Sequence, residues 1–170
     1  MKNIEQLQHL HFLHKVGLGN YSDCIGWAVE RLQLNQEEED LDVVLLAAAT
    51  EGDEVLPLVE KIIRKHTDIP LDEQLVAGKY VAFLYQVYKT GDESVTSLDD
   101  KFTKLYNALG YPDWLVMLSR NCEYATDIPT FLGPFEEELK YIAELWASSE
   151  TRKDFETRYS RDASNQHDIA

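Results

Sequence analysis

The chain has 170 residues, 44% of them hydrophobic, with 16 Lys and Arg against 31 Asp and Glu and a formal net charge of −15. It is long enough for a buried core and too apolar for a disordered chain. So acidic a surface repels nucleic acid phosphates and anionic lipid heads, and it attracts basic partners.

The opening MKNIEQLQHLHFLHK lacks the pattern of a secretory signal, and no apolar run reaches membrane-span length. Cys24 and Cys122 are too few and too far apart for a disulfide framework. The expectation is a soluble cytoplasmic protein with reduced thiols, without nucleic acid or membrane as partner.

Apolar residues recur at helical spacing almost throughout, and sustained period-two alternation is missing. A first helix is expected from Ile4 to Val16, stopped by Gly17 and Gly19, and a second from a cap at Ser22 to Leu34. The acidic run NQEEED separates it from a short apolar helix, Leu41 to Ala49. Gly52 breaks that helix, Asp53 is placed to cap the next, Glu54 to Lys65, and Pro57 falls in its first turn. A fifth helix, Asp72 to Lys89, contains LVAGKYVAFLYQVY and is apolar on nearly every face, as for a helix buried among others. Further helices are expected near Leu98–Leu109, Pro112–Arg120 and Pro134–Trp146, the last continuing through SSETRKDFETRYSR.

This pattern predicts an all-α protein, an antiparallel bundle or a short HEAT-like α-solenoid of about eight helices. Residues 1–160 form one domain in this reading, and residues 161–170 a polar tail. A faint repeat, EGDEV against TGDESV, separates Gly52 and Gly91 by 39 positions, near HEAT spacing. The tetrapeptide TDIP occurs twice, at Thr67–Pro70 and Thr126–Pro129. Ile before Pro is pushed out of helical geometry, so TDIP reads as punctuation rather than as a site used twice.

No residue pattern announces a chemistry. His9, His11 and His14 lack zinc-site spacing, and GLGNYS follows a helix and has no P-loop lysine. The carboxylates have neither EF-hand nor di-iron spacing. They gather at helix beginnings, where the dipole favours them. No catalytic residue, metal or cofactor is therefore expected. Trp27, Trp114, Trp146, Tyr80, Phe83 and Phe102 sit at helical positions and read as core. CEYATDIPTFLGPF reads instead as a loop of about a dozen residues, a length uncommon in compact domains unless functional.

The order CIGWAVERL, an acidic linker, DVVLLAAATEGDEVLPLVEKII and then LYNALGYPDWL, over roughly residues 20–120, resembles an all-helical bacterial family. That family includes candidate immunity proteins of polymorphic and contact-dependent toxin systems. The resemblance implies a non-enzymatic immunity protein whose acidic surface neutralises a basic, nuclease-like toxin domain. Two alternatives stay open, a helical-repeat adaptor for another protein and an enzyme built from scattered carboxylates and histidines. If neighbouring helices alternate up and down, the connections Glu51–Glu54, Gly91–Glu93 and Cys122–Gly133 share one edge. That edge would gather Glu51, Asp53, Glu54, Asp92, Glu93, Glu123 and Asp127 around Tyr124 and Phe131 as the partner-binding surface. The acidic run Glu37–Asp40 would lie on the opposite edge and ranks second.

Overall fold

The computed structural model describes residues 4–34 and 40–168. Among them every regular element is a helix, so the fold is all-α. The helices cluster into two compact units, Met1–Leu71 and Asp72–Ala170.

The first unit contains α1 (Ile4–Lys15), α2 (Tyr21–Gln33), α3 (Leu41–Ala48) and α4 (Gly52–His66). Helix α4 packs on α1, α2 and α3, so the unit is a bundle rather than a stack of neighbours. Val55, Val59 and Ile62 repeat at four and three residues along α4 and meet Leu7, Trp27, Val43 and Leu46 in the core. Each such aliphatic side chain contributes about 1.5–3 kcal/mol on burial.

Two caps differ from expectation. Helix α2 starts at Asn20, not Ser22, because Asn20 Oδ1 accepts the Ser22 N–H at 3.3 Å while Asp23 Oδ2 accepts the Asn20 N–H at 3.1 Å. That reciprocal pair satisfies two donors, which Ser22 alone could not do. Helix α4 starts at Gly52 with Glu51 at its N-cap, so Asp53 lies within the first turn and Pro57 is the sixth helical residue. The Asp53 carbonyl thereby loses its helical partner.

The second unit contains α5 (Glu73–Lys89), α6 (Val95–Ala108), α7 (Asp113–Asp127), one 3-10 turn (Pro129–Phe131), α8 (Leu132–Ala147) and α9 (Arg152–Asp168). Helix α8 is its centre and touches α5, α7 and α9, while α6 packs on α7. Its Phe135, Leu139, Ile142 and Trp146 are fully buried. Helix α5 turns Val76, Ala77, Val81 and Leu84 inward and exposes only Phe83, Gln86 and Lys89 along its length, as expected of a helix buried among others. Phe83, 58% exposed, is not the core residue expected.

Close approach explains one composition choice in α5. A Cβ on Gly78 would meet the Trp146 indole at 2.5 Å from Cε3 and nearer still to Cδ2 and Cε2. Only glycine lets α5 approach the ring so closely. Next to it, Lys79 Nζ donates to the Trp146 carbonyl at 2.7 Å and the Ser149 carbonyl at 2.5 Å, capping the end of α8 with a positive charge. Trp146 also stacks on Phe155 of α9, with ring centres 3.7 Å apart and planes 6° apart.

The dozen-residue loop expected at 122–133 is mostly helical. Cys122–Asp127 complete α7, and only Ile128, extended at φ −118° and ψ 104°, separates it from the 3-10 turn that leads into α8. Thr126 Oγ1 donates to the Glu123 carbonyl at 2.6 Å, which keeps it inside the helix. In the first TDIP the helix has already ended at His66, and Thr67 Oγ1 accepts the Ile69 N–H at 3.1 Å instead. The same four residues therefore end two helices in different registers, with the pre-proline isoleucine outside both.

Nor do the two Gly-Asp-Glu segments match in conformation. Gly52 opens α4, whereas Gly91 has φ +86° and closes α5 with its N–H on the Tyr88 carbonyl and the Asp92 N–H on the Val87 carbonyl, both at 3.1 Å. The residues expected as a tail from 161 onward are helical as far as Asp168.

Candidate partner-binding surface

Six of the nine expected site residues belong to the second unit, and its structure brings their turns together. Cys122 Sγ, near the end of α7, contacts the Val95 carbonyl at the start of α6 at 3.5 Å. Gly91 and Glu93 line the same cleft as Gly133 and Glu136. The α5–α6 and α7–α8 connections thus share one end. There Tyr124 and Phe131 meet edge to face with ring centres 5.1 Å apart. Tyr124, Ile128 and Leu132 are exposed, as are Glu123 and Asp127.

Asp99 of α6 joins this group. Burial, followed by the charges of Glu123, Asp100 and Asp127, pushes its carboxyl above the usual range. Like charges crowd here, and an incoming cation would relieve them. Asp92, exposed, accepts the Thr90 hydroxyl at 2.9 Å.

Glu93 differs from the rest. Its side chain is largely buried, ion-paired with Lys101 and hydrogen-bonded to Ser97, and these partners hold its carboxyl low against the opposing effect of burial. It holds the start of α6 rather than presenting a charge. The remaining three, Glu51, Asp53 and Glu54, are exposed at the start of α4 and form their own group in the first unit.

Of the second-ranked run, Glu37–Glu39 lie outside the described residues, and Asp40 is buried. Asp40 caps α3 and accepts from Lys65 at 2.9 Å, with His66 Nε2 at 3.0 Å. Asp42 takes Lys61 at 3.0 Å and Lys65 at 3.4 Å. For Asp40 burial works upward, but Lys65, His66 and the Asp42 N–H outweigh it; for Asp42 the Lys61 contact leads; both carboxyls are held low. These acids brace α3 against α4. The spacing of Lys61 and Lys65 on one helical face was the signal for them.

The histidines of α1 have different carboxylate neighbours. His11 Nε2 lies 3.8 Å from Glu60, His9 lies 3.9 Å from Glu5, and burial lowers the pKa of both. Among the described residues no group of three or more His, Cys, Asp or Glu is placed to hold a metal ion. No helix there is long and apolar enough to cross a membrane.

No family model, curated protein or solved structure matches the chain. The site must be judged on its own chemistry.

A second surface of the same unit went unnoticed in the sequence. Two clefts flank Tyr159 of α9, one lined by Met117, Glu137, Glu138 and Tyr141, the other by Tyr111, Asp113, Trp114 and Glu156. Tyr111 holds its ring at the second cleft from a backbone φ of +65°, a conformation unusual for a bulky residue. Its ring packs on Tyr106 with centres 4.7 Å apart.

Proposed function

We propose that the protein is a non-enzymatic immunity protein that binds and neutralises a basic toxin domain, nuclease-like in charge, in the cytoplasm. The observation that carries this reading is the end of the second unit where Asp99, Glu123 and Asp127 crowd around exposed Tyr124, Ile128 and Leu132. An acidic rim steers a basic partner, and aromatic anchors slow its departure. The net charge of −15 extends the steering beyond the contact itself.

The test is co-expression and binding with a basic, nuclease-like toxin domain recovered by pull-down with the wild-type chain from the native strain. The wild-type chain should protect cells. Combined Glu123→Lys and Asp127→Lys changes should slow association about tenfold at low salt, with less effect at high salt. Tyr124→Ala should speed dissociation. A folded charge-reversal variant that associates at the wild-type rate, independent of salt, would sink the reading.

A further inference from the structure

Tyr159 stands between the two clefts, and with Ala163 it borders both. The cleft along α7 and α8 has a volume of about 440 Å³, and the one at the α7 start about 660 Å³. Both fall within the range that suits a ligand or a long side chain.

Their walls are chemically one-sided. Carboxylates and aromatic rings line them, and no Lys, Arg or His does so among the described residues. The neighbouring cleft at the α5 end, by contrast, carries Lys89 and Lys140 beside its glutamates. The rings are held in place. Tyr141 donates its hydroxyl to Asp162 at 2.8 Å and faces Tyr159 with centres 6.5 Å apart and planes 29° apart. Phe155 stacks on Tyr159 with ring centres 5.6 Å apart and planes 11° apart.

Glu138 sits half-buried in the first cleft, where burial pushes its carboxyl above the usual range. Burial also raises the Tyr159 phenol, followed by the charges of Glu138 and Asp113, one from each cleft. Arg152 approaches Glu156 only to 3.8 Å and is shared with Asp72 at 3.5 Å. The clefts therefore combine one half-buried carboxylate, Glu138, with the exposed carboxylates of Glu137, Asp113 and Glu156, pre-set aromatic rings and no lining cation.

On the reading of a basic partner, we propose that the paired clefts receive two arginine side chains of that partner, one on each side of Tyr159. Arginine fits better than lysine, because its planar guanidinium stacks on an aromatic face while its edge meets a carboxylate.

The full chain is titrated with acetyl-Ala-Arg-Ala-Ala-Arg-Ala-amide and with its citrulline counterpart, followed by NMR of backbone amides and by calorimetry. Amide shifts should centre on Met117, Glu138, Tyr159 and Ala163, and the uncharged citrulline peptide should bind at least about tenfold more weakly. Glu138→Gln, nearly isosteric, should weaken the arginine peptide about fivefold with the fold retained, whereas Asp127→Asn should change it less than about twofold. Shifts centred on Tyr124 and Ile128, equal binding of the citrulline peptide, or no saturable binding would each overturn the proposal. None of these touches the basic-partner reading, which fails separately if a folded charge-reversal variant still binds the toxin domain at an unchanged, salt-independent rate.

Discussion

Gly78→Ala sets two opposing effects against each other at one atom. Alanine is the better helix former by about 1 kcal/mol, so at an open helical site it would stabilise. Here the new methyl lies within 2.5 Å of Trp146 Cε3 and closer to two further ring atoms. The indole cannot give way, since it is fully buried, stacked on Phe155 and met edge-on by Trp114 with ring centres 5.2 Å apart. Relief must come from parting α5 and α8, the central helix of the unit. Overpacking of this kind costs about 1–3 kcal/mol, occasionally more, and a collision with a rigid ring belongs at the upper end. Subtracting the propensity gain leaves a net loss of about 2 kcal/mol. For a unit of this size that lowers the melting temperature by about 8–16 °C.

Far-UV circular dichroism melts measure the loss directly. Gly26→Ala in α2 is the control, because an added Cβ there meets nothing within 4 Å. It should raise stability by up to about 1 kcal/mol. If Gly78→Ala melts at or above the wild-type temperature, the contact between α5 and the indole is not as close as described and the reasoning fails.

Lys79→Met should destabilise by about 1.5–3 kcal/mol, since it removes a charged donor from the Trp146 and Ser149 carbonyls; chemical denaturation would show a lower midpoint at unchanged slope. Asp40 and Asp42 have folded pKa values held below the ordinary 3.8, so their contribution is present above that pH and disappears as pH falls through the lowered values. Acid titration of the double Asn variant should show lower stability at neutral pH and a shallower acid limb than wild type. Both thiols should titrate as free in the unfolded, unreduced protein, and in the native protein they should react slowly, because burial pushes Cys24 to about 11 and Cys122 to about 12. A quantitative disulfide would contradict this.

Helix identity was legible because the core-facing residues repeat at three and four positions, as Leu98, Phe102 and Leu105 do in α6. The end of α7 was not. Thr and Asp are poor helix formers, yet Thr126 bonds back to the Glu123 carbonyl and the helix runs on to the residue before the pre-proline break. The division into two units was also hidden, because local periodicity carries no information on which distant helices pack together.

For the site, alternation of helix direction was enough to place the α5–α6 and α7–α8 turns of the second unit at one end. It could not reveal that Glu93 is taken up by Lys101 or that Asp40 is buried, because a run of acids has the same composition whether it faces solvent or a lysine. The clefts beside Tyr159 join Met117, Glu138 and Tyr159 from three helices, a juxtaposition that no spacing along the chain encodes.

The placement of the three tryptophans makes each unit its own optical reporter. Trp27, buried beneath the Arg31 guanidinium at 5.5 Å, is the sole indole of the first unit. Trp114 and Trp146 of the second stand 5.2 Å apart with planes inclined by 71°, near enough to share excitation and to couple as chiral chromophores. Loss of that coupled near-ultraviolet signal reports separation of α7 from α8. The emission of a chain carrying Trp27→Phe comes from the pair alone, so the melting of one unit can be read without the other.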